Sequence, residues 1–304
     1  MAFIKLVINL NKNFLLAVTK SSLLLHINNR HKQGYNFKKL VNVLPSLKKH
    51  VIKNKFNQQA TINFSDPIAV KLLNLALLKC DYKIIKWDIP AGYLCPAIPG
   101  RVDYIHHLKE LIDSNPLDIV VPSTKTKVLD IGTGASCIYP ILGQKEYHWE
   151  FVASDIDPLS IKSANQIIAA DCKLKNNINC RLQQNSQAIF EGIIKVNEFY
   201  HLTMCNPPFH KSLLQAEQGS VKKWKNLNSD QFTQTKKVNL NFGGQKAELF
   251  CQGGELKFIQ SMIKESKVYK QQVLWFTCLV SKGEHLKKLK FNLKKSGATH
   301  VKVV

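Results

Sequence analysis

Lys127–Asp157 reads KVLDIGTGASCIYPILGQKEYHWEFVASDID. Lys127–Ile131 is a short apolar strand that ends in Gly132-Thr133-Gly134, and Ser136–Leu142 behind the glycines can start a helix. Trp149–Ser154 is a second strand, closing on Ser154-Asp155-Ile156-Asp157. Outward from this stretch the alternation continues. A helix runs from Pro158 to about Ala170, and strands are expected at Ile178–Gln183 and Tyr200–Cys205. A helix near Glu255–Lys267 precedes a strand at Gln272–Val280, and a basic helix at His285–Ser296 leads to Thr299–Val304. Strand–helix alternation of this kind predicts an α/β fold, a parallel sheet with helices on both faces. Ligands of such sheets bind beyond the carboxyl ends of the strands.

Two motifs fall there. In Asp130-Ile131-Gly132-Thr133-Gly134 the glycines permit positive φ and close backbone approach to a ligand, and the amides of the next helix would face it. The spacing is D-x-G-x-G, which does not suit a pyrophosphate cradle. Asp155, ending the second strand, is placed to accept hydrogen bonds from both ribose hydroxyls of a nucleoside. An ordinary glycine turn with solvated carboxylates is the alternative; the two elements in this order favour a nucleoside cofactor.

The second motif is Asn206-Pro207-Pro208-Phe209, directly behind the fourth strand. Two prolines hold the chain extended and remove two donors, leaving carbonyls free to accept. A planar amine can give its hydrogens to the Asn206 side-chain oxygen and the Pro207 carbonyl while Phe209 stacks on its ring. Such bonds favour the partly positive nitrogen that forms as its lone pair attacks an electrophile.

Composition narrows the partners. The 304 residues are 45% hydrophobic and 21% charged, which excludes global disorder. Lys+Arg outnumber Asp+Glu 43 to 21, a formal charge of +22, and an excess that large predicts a polyanionic partner. Lysine richness from codon bias would not by itself remove acidic residues. Residues 26–60 form a basic arm with Lys38, Lys48, Lys49, Lys53 and Lys55 among its cations. A helix is expected from the Ser65-Asp66-Pro67 start through Lys79, and another at Arg101–Ile112. None of the 8 cysteines has C-x-x-C spacing or a zinc-like His/Cys cluster, so they read as reduced thiols and no metal is expected. Residues 1–25 are apolar but interrupted by polar and basic side chains, so neither a signal peptide nor a membrane span is expected.

At this point the chain resembles class I S-adenosylmethionine-dependent methyltransferases of the amino-methylating branch. More narrowly it is similar to the RlmF family of 23S ribosomal RNA adenine-N6 methyltransferases. The residues that carry the resemblance are DIGTGASCIYP (130–140), Asn206–Phe209, NRHKQGYNF (29–37), WDIPAGYLCPAIPGRVDYIHH (87–107), LNFGGQKAE (240–248) and Gly253-Gly254-Glu255. The resemblance implies a Rossmann-like domain over 113–304, with an insertion at 210–253 and a basic RNA-binding, capping region at 26–112. It implies S-adenosylmethionine as cofactor, 23S ribosomal RNA or a large-subunit assembly intermediate as partner, a cytoplasmic location and a monomer. Gly132 and Asp155 would contact the cofactor, Asp130 and Gly134 would shape the loop, and Arg101 would reach the methionine carboxylate. Asn185 aligns loosely with an adenine-side contact. Asn206, Pro207, Pro208 and Phe209 would hold the target base. Asn241–Gln245 supplies glycine pivots for a flap over the substrate.

Two departures follow. Residues 1–25 have no counterpart in the resemblance and read as an extension. The resemblance also implies a final antiparallel strand between the strands at 272–280 and 299–304, and the sequence stops at Val304 without it. A gap of unpaired backbone is therefore expected there, with instability, association through that edge or a truncated product as consequences. Methylation of DNA adenine or protein glutamine, or an inactive relative that only binds RNA, stay open as alternatives.

Overall fold

The structure, a computed structural model, describes residues 7–10, 25–114, 125–208 and 251–303, and for 7–10 the backbone alone. In chain order, strand β1 (Val7–Leu10) comes first, then helix α1 (Phe37–Val43) and a 3-10 turn over Pro45–His50. An antiparallel hairpin, β2 (Val51–Lys53) and β3 (Ala60–Ile62), follows. Helix α2 (Pro67–Tyr82) starts as its sequence demands: Asp66 accepts the N–H of Ile68 and Pro67 occupies the first turn. Helix α3 (Ile98–Asp113) is longer than its spacing predicts because Pro99 and Gly100 sit inside its first turn, where proline costs no hydrogen bond.

The second half alternates as expected: β4 (Lys127–Ile131), α4 (Ile138–Tyr147), β5 (Glu150–Asp155), α5 (Pro158–Ala169), α6 (Cys172–Asn177), β6 (Ile178–Leu182) and β7 (Tyr200–Cys205). After the undescribed 209–250 come α7 (Gly254–Ser266), β8 (Val273–Phe276), β9 (Cys278–Val280), α8 (His285–Lys295) and β10 (Lys302–Val303). The central sheet has the order β6-β5-β4-β7-β8, every pair parallel. The single strand expected at 272–280 is divided at Thr277. There the backbone N–H and the hydroxyl both turn to the Thr203 carbonyl, at 3.1 and 2.7 Å, and the ladder skips a residue.

The expected gap is filled. β1 lies between β9 and β10, parallel to both, with Ile8 opposite Cys278 on one side and Val303 on the other. Unpaired strand edges are costly, and the VINL stretch, β-branched at its start, takes up their donors and acceptors. The segment read as an extension is thus the middle strand of a three-stranded sheet, β10-β1-β9, and it runs parallel where an antiparallel strand was expected.

Strand residues alternate between two cores. Val128, Ala153, Leu202 and Met204 face α2–α6, and the same core takes in Phe37, Leu47, Leu73, Ile105 and Leu108. Leu129, Val152, Cys205 and Phe276 face α7, α8 and the loop at 189–194. Helices α1–α3 therefore share one core with a face of the sheet. No described helix is long and apolar enough to cross a membrane.

Candidate active site

The sheet register assembles the site. Ile131 pairs with Ser154 on one side and with Cys205 on the other. Gly132, Asp155 and Asn206 are the next residues of three adjacent strands, so the two motifs meet at one carboxyl edge. They open on a cavity of about 250 Å³ whose lining includes Leu94, Arg101, Gly132, Asp155, Asn206 and Pro208. Gly134, Tyr139, Gln183, Cys251 and Gln252 line it as well.

The glycine loop is tied to the next strand. Gly132 and Thr133 donate to the Ser154 carbonyl at 2.9 and 3.0 Å, and Gly134 donates to Asp155 Oδ2 at 2.8 Å. Gly132 has φ +72°, which L side chains rarely adopt, and a Cβ built there meets nothing within 4 Å. The loop thus turns a bare backbone surface toward the cavity. Asp155 Oδ1 accepts the Asp157 N–H at 2.9 Å. Burial raises the Asp155 pKa, and those backbone donors oppose the rise. Asp157 caps α5 through the N–H groups of Leu159 and Ser160 and takes the Tyr93 hydroxyl at 2.7 Å, so its carboxylate is spent on structure.

Asp130 is fully buried beneath the loop, and neither of its oxygens has a hydrogen-bond partner among the described residues. Burial pushes its carboxyl up to about 7; Asp155 adds to the rise, while the Thr133 hydroxyl and the Arg101 guanidinium oppose it.

Arg101, from the first turns of α3, reaches the end of β7. Its Nη1 donates to the Tyr139 hydroxyl at 2.8 Å, and the guanidinium lies 5.4 Å from the centre of that ring. The Asn206 amide is oriented by the same neighbour. With its oxygen toward the guanidinium it accepts from Nη1 at 3.0 Å and Nη2 at 3.3 Å; turned the other way, donors would face donors. Burial pushes the Tyr139 hydroxyl up to about 12, so it stays protonated.

Of the residues singled out in the sequence, Arg101, Gly132, Gly134, Asp155, Asn206 and Pro208 line the cavity. Asp130 lies below it and Pro207 is buried between its neighbours. Asn185 is exposed outside the lining, where its Oδ1 accepts the Gln187 N–H at 3.0 Å. Gln183 takes the place on the wall, its amide held by the Glu191 carbonyl. Phe209 lies outside the described residues, as does the flap at Asn241–Gln245. Tyr139 and Gln183 were not singled out. Tyr139 stands inside the quoted 130–140 motif, whereas nothing in the spacing distinguishes Gln183.

Residues 18–304 match the family described as RNA methyltransferase. The chain is 62% identical over 281 residues to ribosomal RNA large subunit methyltransferase F of Colwellia psychrerythraea, covering 92% of this chain and 93% of that protein. The chain belongs to the RNA methyltransferase family. Ribosomal RNA large subunit methyltransferase F of Vibrio cholerae is 50% identical over 296 residues, 95% of this chain and 80% of that one. Among solved structures, the hMettl16 catalytic domain in complex with MAT2A 3′UTR hairpin 1 matches this methyltransferase with a TM-score of 0.73. The identity is 31%, and the match covers 90% of this chain and 87% of that one. The N-terminal domain of human METTL16 in complex with SAH matches at 0.68 with 29% identity, covering 90% of both chains.

The methyltransferase spends part of its basic arm on itself. Arg30 donates to the Asp81 carbonyl and to Glu146, both at 2.8 Å, and lies over the Tyr82 ring. Burial holds His31 down at about 4, neutral against the Tyr82 hydroxyl. His26, His107 and Glu110 come together in a group with metal-ligand composition. The His26 Nδ1 accepts the Asn28 N–H at 3.1 Å, which places the ring proton on Nε2, 2.8 Å from Glu110. Lys38, Lys48, Lys49, Lys53 and Lys55 remain exposed.

Proposed function

We propose that this RNA methyltransferase transfers a methyl group from S-adenosylmethionine to the N6 amine of an adenosine in 23S ribosomal RNA. One observation carries the reading: Asn206 and Pro208 line a single cavity together with Gly132, Asp155 and Arg101. The set fits the cofactor. Asp155 presents carboxylate lone pairs for ribose hydroxyls, and Arg101 presents a guanidinium for a carboxylate. Among the described residues the two buried oxygens of Asp130 lack partners, which an ammonium brought to the loop would supply. When bound, the cofactor supplies an already activated methyl group.

The chain's own part is then alignment and hydrogen bonding. The Asn206 oxygen and the Pro207 carbonyl take the two amine hydrogens, holding the nitrogen lone pair toward the donor. Each bond strengthens as positive charge develops on nitrogen and is worth about 1.5–3 kcal/mol there. Phe209 would stack on the base, which must leave its helix to enter the pocket. Residues 26–112 serve as the RNA-binding, capping region ahead of the methyltransferase domain at 113–304. Their exposed lysines meet phosphates, and Phe56, 98% exposed at the hairpin tip, offers a stacking face. Such a substrate puts the work in the cytoplasm.

The test is to incubate the protein with methyl-labelled S-adenosylmethionine and unmodified 23S RNA, then digest to nucleosides. Label in N6-methyladenosine that disappears with Asn206→Ala supports the reading. Label that enters only DNA or protein overturns it.

A further inference from the structure

Five of the 11 residues of α8 are lysine and none is acidic. Leu289 and Leu293 pack into the core shared with α7, and all five lysines are exposed. Phe291 shares that outer face, 66% exposed. Side chains three and four residues apart on a helix are neighbours, so Phe291 is ringed by Lys287, Lys288, Lys294 and Lys295. Helix stability does not account for this pattern. Lys287 and Lys288 stand in the first turn, where the helix dipole disfavours cations. Lys290 meets like charge at Lys287 and Lys294, at spacings that destabilise a helix. No lysine of α8 has an ion-pair partner among the described residues, and the neighbouring Glu284 pairs with Lys282 and His285.

We propose that the outer face of α8 is a second RNA-binding surface, where Phe291 stacks on an unpaired base and the four lysines around it meet the neighbouring phosphates. The inference rests on the RNA substrate of the reading above and extends its footprint to the opposite face of the sheet. The place of the helix supports this occupant. β9 continues β8 beyond Thr277 toward the carboxyl edge, and the chain then turns into α8. Glu255, in the first turn of α7, accepts the Ser281 N–H at 2.6 Å and bonds His285 Nδ1 at 2.8 Å. Lys257 and Phe258, on the same turns of α7, line the cavity. Helix α8 therefore starts beside the rim of the site. It packs on the α7 face of the sheet, whereas Phe37 and Leu47 seat the basic arm in the core of the other face. RNA that meets both surfaces must cross the carboxyl edge, where the cavity opens. The partner is then a folded RNA that straddles this edge and presents an unpaired adenosine to it. An anionic membrane fits less well. Phe291 is the one large apolar side chain exposed on α8, whereas interfacial helices insert a whole apolar face.

The full chain and its variants are titrated with unmodified 23S RNA over a series of salt concentrations. A quadruple variant, Lys287→Gln, Lys288→Gln, Lys294→Gln and Lys295→Gln, should lower the slope of log affinity against log salt by about two to four. Phe291→Ala should bind about tenfold more weakly at unchanged slope, and Phe291→Trp should restore the affinity. Glutamine relieves the like-charge repulsion along the helix, so the thermal midpoint of the quadruple variant should hold or rise. RNA affinity and slope left unchanged by the quadruple variant overturn the proposal, even where binding to phosphatidylglycerol vesicles is lost. A lower slope with no effect of Phe291→Ala overturns it as well, since the helix then acts only as a diffuse positive charge. Either result leaves the RNA reading standing when replacing Lys48, Lys49 and Lys55 with Gln lowers the wild-type slope. Failure of the wild-type chain to bind 23S RNA removes that reading itself, and the proposal with it.

Discussion

Replacing Asp130 with asparagine should stabilise the chain, and by an amount that depends on pH. The carboxyl is fully buried with no partner of hydrogen-bond geometry among the described residues, and its pKa rises from 3.8 to about 7. Burial is the main cause, with Asp155 adding and the Thr133 hydroxyl and Arg101 opposing. The sign follows from proton binding. Between about pH 4 and pH 7 the unfolded chain gives up this proton while the folded chain keeps it, so stability falls as pH rises through that window and is level above it. At 1.36 kcal/mol per unit, a shift of about three units costs about 4 kcal/mol in full. Near pH 5 less than half of that cost has accrued. Asparagine keeps the shape, carries no charge at either pH and, near pH 5, replaces one uncharged polar group by another. Urea unfolding of the two proteins should therefore give Asp130→Asn an advantage about 2–3 kcal/mol larger near pH 8 than near pH 5. An advantage that does not change with pH, or an asparagine variant less stable near pH 8, would falsify the account of this carboxyl. If Asp130 also meets the cofactor's ammonium, the same variant should bind S-adenosylhomocysteine about tenfold more weakly while being more stable.

Other positions give independent checks. Gly132→Ala should lose about 1–2 kcal/mol in chemical denaturation, because φ +72° is strained for alanine. Its methyl also enters open cavity, so affinity for S-adenosylhomocysteine should fall with it. Phe56→Ala should weaken RNA binding by about 1–3 kcal/mol at unchanged salt slope, with Phe56→Trp retaining affinity. Lys55→Ala should instead lower the slope of log affinity against log salt by about one. Glu198 accepts from both Nη atoms of Arg181, the Tyr200 hydroxyl, Lys127 and the Lys195 N–H. Burial pushes its pKa up, but these donors win and hold it well below the usual carboxylate range. Its contribution should be complete above the ordinary value of 4.5 and fade as pH falls below it, so Glu198→Gln should cost about 1–3 kcal/mol at neutral pH and less in acid.

The site was legible where chemistry and backbone geometry coincide. Gly132 and the Asn206-Pro207-Pro208 run declare themselves because a positive φ and a rigid extended acceptor strip each need particular residue types. Their meeting point follows from the parallel order alone, since strands that end in register bring their next residues together. Asn185 was not legible in the same way. The turn after β6 folds its side chain back onto Gln187, and only three-dimensional packing puts Gln183 on the wall instead. The sheet edge shows the same limit from the other side. A strand of four residues can pair with any open edge whose register it fits, and nothing local in VINL says that its neighbours are Cys278–Val280 and Lys302–Val303.

The division into a capping region and a catalytic domain describes the chain's order better than its chemistry. Arg101 stands on α3, and the Tyr104 hydroxyl of the same helix meets Thr277 at 2.6 Å, at the break between β8 and β9. Thr277 is bonded in turn to the Thr203 carbonyl on β7, three residues before Asn206. Helix α3 is therefore fixed to the strand that presents the acceptor, with Tyr104, Ile105 and Leu108 all buried in the shared core. A guanidinium held on that frame reaches Asn206 with little freedom to lose. The segment at 26–31 binds the other flank of α3, where the His26 backbone N–H and the Asn29 side-chain amide donate to Asp103 Oδ1 at 2.6 and 3.1 Å. Contacts that press on the basic arm thus bear on the helix that carries Arg101. If Lys48, Lys49 and Phe56 hold RNA as proposed, that RNA is connected to the acceptor through packed structure rather than through a flexible tether.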